Sequence, residues 1–84
     1  MEVLKSPIRG LRESKGMIQG DFALLIGCSK THLSDIERGF ADLTPRILEG
    51  LEKLGLENLD EIIRKQKDFV NQKIIGLLKD FKNK

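Results

Sequence analysis

The stretch QGDFALLIGCSKTHLSDIERG, residues 19–39, decides how this chain folds. Ala23 is small enough to let one helix approach another closely. Gly27 follows four residues later and can take a positive φ without a Cβ penalty. Leu33 and Ile36 lie three apart, so on a helix they share one inward face. Two short helices joined by a tight turn satisfy all of these positions at once. Such a helix-turn-helix pair presents its second helix to the major groove of DNA.

Helix signals extend outward on both sides. Ser6-Pro7 reads as an N-cap followed by a proline at the first helical position, where its missing N–H costs nothing. Ile8 and Leu11 give helical spacing, and Lys15-Gly16 ends this first segment. The second segment runs from about Ile18 to Ile26. The third runs from about Ser29, a good N-cap, to Arg38, with Gly39 behind it as the cap. Thr44-Pro45 repeats the opening pattern and starts a fourth segment that ends near Gly55. Asn58 with Glu61 reads as an asparagine variant of the capping box. From there Leu59, Ile62, Ile63, Gln66, Phe69, Val70, Ile74, Leu77, Leu78 and Phe81 follow a stripe of three- and four-residue steps. This fifth segment reaches about Lys82, or breaks near Lys67 or Gly76. The expected fold is all-α with five helices.

Composition narrows the class. Eighty-four residues make one small core. Charged residues form 33% of the chain and aromatic residues 5%, so Leu, Ile, Val and four Phe must supply the interior. The formal net charge of +2 is weak support for a nucleic-acid ligand. One cysteine, Cys28, excludes an internal disulfide and suits a reducing cytoplasm. No apolar run approaches the roughly 20 residues of a membrane span. MEVLKSPIRG lacks the apolar core of a signal peptide. Cys28 and His32 lie four apart, but two ligands do not make a metal site, and no third group orients them as a nucleophile and base. No cofactor and no enzymatic activity are expected.

Several further matches fall at consistent separations. Leu11-Arg12 stands near the end of the first helix, and Lys15-Gly16 precedes the second. Gln19 opens the second. Leu33-Ser34-Asp35-Ile36-Glu37-Arg38-Gly39 closes the third, and Leu54-Gly55 the fourth. Over about residues 4–63 the chain resembles the Cro/CI, or XRE, family of phage-repressor-type domains. That resemblance implies a lambda-repressor-like helix-turn-helix domain at residues 1–56. Residues 57–84 lie mostly outside that resemblance; their apolar stripe reads as an extended amphipathic helix that either folds back on its own domain or, the favoured reading, serves as a dimerisation extension of the same domain.

The resemblance also implies roles. Arg12 and Glu37 would pair as a structural salt bridge, since a planar guanidinium matches a carboxylate bidentately. The third helix would read DNA. Lys30, Thr31, His32 and Asp35 are the candidates for base edges: Lys30 for guanine, Thr31 for a thymine methyl, His32 by either tautomer. Asp35 could accept from cytosine or repel wrong sites. Gln19, Ser29, Ser34 and Arg38 are the candidates for phosphates, which set register and not sequence preference. Lys15 and Arg46 are weaker phosphate candidates.

The departures from the family pattern carry information too. Ile18 stands where a Ser or Thr cap is usual. Leu24 and Leu25 stand at positions that are usually polar, so the second helix is apolar nearly all round. Its extra face should be covered by the C-terminal helix or by a protein partner. The loop Phe40-Ala41-Asp42-Leu43 is not basic. Gly10 and Gly50 each sit inside a helix, at a cost of roughly 1 kcal/mol unless a neighbour comes close.

The function read from the sequence is a double-stranded DNA-binding transcriptional regulator, a repressor that acts as a homodimer on a palindromic operator. The competing class is a protein-interaction module, antitoxin-like, that keeps the fold and reads no DNA.

Overall fold

The computed structural model describes residues 5–83. Residues 1–4, part of the stretch read above for a signal peptide, and residue 84 lie outside them. Five helices follow one another: α1 (Pro7–Ser14), α2 (Gln19–Ile26), α3 (Lys30–Glu37), α4 (Pro45–Glu52) and α5 (Leu59–Lys82). The expectation of an all-α, five-helix chain holds. No helix among the described residues is long and apolar enough to cross a membrane.

The caps explain most of the boundaries. Ser6, Ser29 and Thr44 each accept a backbone N–H from three residues on: Arg9, His32 and Ile47. These side chains satisfy donors that no helical carbonyl can reach. Ile18 offers no such bond at the start of α2. At the other ends α1, α2 and α3 close the same way. The N–H groups of Met17, Cys28 and Phe40 reach back to the carbonyls of Arg12, Ala23 and Asp35. The glycine before each, at 16, 27 and 39, has a positive φ.

The core is one cluster of Ile8, Phe22, Ala23, Ile26, Leu33, Ile36, Ile47, Leu51 and Ile62. Ala23 and Gly27 do what their spacing suggests, and α2 packs closely on α3. Gly50 explains itself in the same terms. A Cβ there would stand 2.3 Å from the carbonyl oxygen of Ile26, so α4 meets the end of α2 backbone to backbone. Gly10 has no such neighbour: a Cβ there would meet nothing within 4 Å. Nothing in the structure explains that residue.

Three expectations need correction. The capping box at Asn58 does not form; Asn58 makes no side-chain cap bond. Glu61 pairs with Lys65 instead, at 2.8 Å, and that ammonium holds its carboxyl below the ordinary range. The extra apolar face of α2 is not covered by α5 of the same chain. Leu24 is 83% exposed and Ile18 67%. The reason is placement: α5 lies against α1 and reaches the C-terminal end of α3. Finally, Gln66 is not a neutral step in an apolar stripe. It is a buried polar group with three partners, described below.

α5 breaks at neither Lys67 nor Gly76. At about 1.5 Å per residue its 24 residues span roughly 36 Å. Only its first half joins the core, through Ile62, Gln66 and Val70. From Asn71 to Asn83 every residue is exposed.

Candidate nucleic-acid interface

The recognition helix candidate, α3, is eight residues long and amphipathic. Leu33 and Ile36 are fully buried on its inner side, and Glu37 is 6% exposed. Thr31, Ser34, Asp35 and Arg38 follow at three- and four-residue steps and so share the outward side. Lys30 and His32 flank that stripe. Lys30, Thr31 and Arg38 are exposed; His32, Ser34 and Asp35 are half-buried.

A polar brace holds this helix from behind. Arg12 Nε donates to Glu37 Oε2 at 2.8 Å and Nη2 donates to Oε1 at 3.0 Å. The third guanidinium nitrogen, Nη1, donates to the Met17 carbonyl at 2.8 Å. Gln19 Nε2 adds a fourth bond, to Glu37 Oε1 at 3.2 Å. One guanidinium thus ties α1, the turn before α2 and the end of α3 together. Its hydrogen bonds to Glu37 hold Arg12 above the ordinary arginine range, against the opposing effect of burial. The bidentate geometry satisfies the carboxylate, and no buried side-chain nitrogen or oxygen among the described residues lacks a partner.

The structure sorts the remaining candidate residues by how free they are. Lys30 and Thr31 make no side-chain hydrogen bond within the described chain, and neither does the His32 ring. Ser29 Oγ is engaged as the N-cap acceptor for the His32 N–H at 3.0 Å, which leaves its own proton free to donate. Asp35 and Arg38 are brought together: Arg38 Nη2 donates to Asp35 Oδ1 at 2.7 Å. This exposed pair neutralises much of the charge of a lone carboxylate on the outward stripe. Gln19 is drawn inward by Glu37.

Sequence reasoning missed two participants. The Met17 carbonyl carries no sequence signal, because its role is set by backbone geometry. Lys73 of α5 is the other. Its ammonium lies 5.0 Å from the centre of the Phe40 ring, and the Arg38 guanidinium lies 5.2 Å from it. The loop after α3 is therefore more basic in space than in sequence, because α5 supplies the second cation.

Cys28 packs against the core, and burial pushes its thiol up, away from the thiolate. Among the described residues no group of three or more His, Cys, Asp or Glu side chains is arranged to hold a metal ion.

A helix-turn-helix family model matches residues 8–62, which covers α1 to α4 and the first turn of α5. Comparison with curated proteins and with solved structures gives no match. The match covers well over half of the chain and coincides with the braced helix pair. The chain belongs to the helix-turn-helix family of DNA-binding transcription regulators, as a domain of the Cro/CI type.

Proposed function

We propose that the protein is a sequence-specific reader of duplex DNA that represses transcription as a homodimer on a palindromic operator. The observation that carries this reading is the outward face of α3. Lys30, Thr31 and His32 project unpaired side chains from the first turn of a helix that is fixed from behind. Lys30 suits guanine O6 or N7, Thr31 a thymine methyl, and His32 either a donor or an acceptor edge. Asp35 is a base acceptor held ready by Arg38. Ser29, Ser34, Arg38 and Gln19 serve phosphates, Gln19 by exchanging its bond to Glu37. Lys73 joins Arg38 in that role.

The test is selection from a random duplex library at about 0.15 M salt, because affinities here depend steeply on ionic strength. An inverted repeat with half-site centres about 10 bp apart is the expected winner. Lys30→Ala combined with His32→Ala will leave the circular dichroism spectrum and Tm unchanged and lower affinity for the selected site by roughly 30- to 25,000-fold, at roughly 1–3 kcal/mol for each of the two base contacts. Unchanged affinity in that double variant would remove α3 from the interface.

The dimer rests on α5. Ile74, Leu77, Leu78 and Phe81 are each at least half exposed, and Phe81 reaches 77%. A long amphipathic helix does not keep such a face in water. The same side of α5 continues into a groove of about 360 Å³ whose apolar lining is Leu43, Leu48, Ile63 and Val70. Stripe and groove on one helix are self-complementary under a two-fold axis, so a second copy fills both at once. Changing Leu77 and Phe81 together to Glu will give a folded monomer by sedimentation equilibrium. It will also weaken binding to the inverted repeat about a hundredfold or more, through lost avidity. A dimer of unchanged mass would place the contact elsewhere.

The second reading, a protein-interaction module, has its own observation. Leu24 and Leu25 of α2, and Ile18 at its N-cap, are exposed apolar side chains. A folded protein that enriches no duplex sequence would favour that reading, with a partner docked on these side chains.

A further inference from the structure

Gln66 is 1% exposed and joins three helices. Its Oε1 accepts from Ser6 Oγ at 2.6 Å and from the Ile8 N–H at 3.3 Å. Its Nε2 donates to the Ile36 carbonyl at 3.0 Å. Ser6 is the N-cap of α1, and Ile36 lies in the last turn of α3. One amide therefore links the start of α1, the end of the recognition helix and the first third of α5.

A second contact fixes the same pair of helices. Gly39 caps α3 with φ +83°, and a Cβ there would stand 3.2 Å from both Phe69 Cε2 and Lys73 Cβ. The end of α3 therefore sits directly on α5 at the level where α5 leaves the core. Beyond this point, from Asn71 onward, α5 is the exposed arm assigned above to the partner.

We propose that Gln66 is a positioning residue that sets the angle between the recognition helix and the dimer arm, and with it the half-site separation the dimer accepts. This inference rests on the dimeric reading above. The physical argument is directional. An apolar side chain of similar volume would fill the space, at the cost of leaving the Ser6 hydroxyl, the Ile8 N–H and the Ile36 carbonyl without this partner. It would also tolerate several positions of α5. The amide does not, because its oxygen and nitrogen are fixed in one plane and each faces a partner on a different helix. A slide of α5 by one residue, about 1.5 Å with a turn of about 100°, breaks all three bonds. Buried polar groups that fix the register of packed helices are the best-attested use of such residues. Here the register couples two functional parts. One base pair of extra spacing turns a half-site by about 35° around the DNA axis, so a dimer with a fixed arm angle discriminates between neighbouring spacings.

The experiment compares the natural protein with Gln66→Met. Both are titrated, by fluorescence anisotropy, against duplexes that carry two inverted copies of the selected half-site at centre spacings of about 8 to 13 bp. Dimer mass and Tm are measured alongside. The natural protein is expected to prefer one spacing over its neighbours by about tenfold. In Gln66→Met that preference falls to about twofold, while affinity for an isolated half-site and the dimer mass stay the same. A preference as sharp as in the natural protein overturns the proposal. So does a folded variant that no longer dimerises, because Gln66 would then serve the dimer contact and not the aim of α3. Should Gln66→Met fail to fold, Gln66→Asn carries the same test: its amide keeps a donor and an acceptor without adding a charge, but it is one methylene too short to reach both α1 and α3 at once. A natural protein that is monomeric defeats the dimeric reading itself. A dimeric natural protein with unaltered spacing preference in both variants defeats this inference alone.

Discussion

Glu37→Ala will remove about 3–5 kcal/mol of folding stability, enough to leave the domain largely unfolded at 37 °C if its total lies at the low end of the usual 5–15 kcal/mol. The cost comes from what remains behind. Arg12 is only 12% exposed at its side chain, and without Glu37 its Nε and Nη2 lose both of their acceptors. Gln19 loses its acceptor as well. Arg12→Ala will cost a similar amount for the mirror-image reason, because Glu37 is 3% exposed at its side chain. The double change Arg12→Ala with Glu37→Ala will cost much less than the two single changes added, since no charge is stranded. Urea titrations of the four proteins read this directly. Additive losses would mean that the two charges act independently.

Gly50→Ala is the second large effect. The added methyl would fall 2.3 Å from the Ile26 oxygen and 2.7 Å from its carbonyl carbon, both backbone atoms that cannot swing aside. Overpacking of a tight interior usually costs 1–3 kcal/mol, and here a whole helix must shift. The helix-propensity gain from Gly to Ala, about 1 kcal/mol, works in the opposite direction. With the overpacking at the upper end of that range, a net loss of about 2 kcal/mol is expected, which lowers Tm by roughly 8–16 °C in a domain of this size. Gly10→Ala is the natural control, because a Cβ at residue 10 meets nothing within 4 Å. It should raise Tm by a few degrees. If both changes raise Tm, the close crossing of α4 and the end of α2 is wrong.

The two stability effects also show what the sequence could reveal. The crossing of α2 and α3 was legible because Ala23, Gly27, Leu33 and Ile36 each encode a local demand: small, turning, inward, inward. The caps at Ser6, Ser29 and Thr44 were legible for the same reason, since a cap is a contact between residues three apart. Asn58 shows the limit of local logic. Its pattern suited a capping box, but Glu61 found a better partner one turn further on, at Lys65. Gly50 was legible as an anomaly and not as a contact, because its neighbour is the carbonyl of a residue in another helix. Gln66 was the hardest of these. Its position in an apolar stripe marked it as buried, but the partners that satisfy it stand 60, 58 and 30 residues away. No periodicity carries information across such separations.

The candidate interface divides the same way. The order of residues along α3 was readable from helical spacing alone. Which of them are already committed was not. The Arg38–Asp35 pair follows a helical step of three, but the approach of Lys73 to Phe40 depends on where α5 crosses the end of α3. The exposed arm of α5 was foreseen as amphipathic; that its own domain leaves it bare came from the fold.

That bare arm has a consequence for dosage. If two copies must meet before either grips its operator firmly, then at low abundance the number of occupied sites rises with the square of the amount synthesised. A doubling of output from the encoding gene would then raise occupancy about fourfold, and a halving would release the operator as abruptly. A short arm of unpaired Ile, Leu and Phe would in this way turn a modest change in expression into a sharp genetic decision.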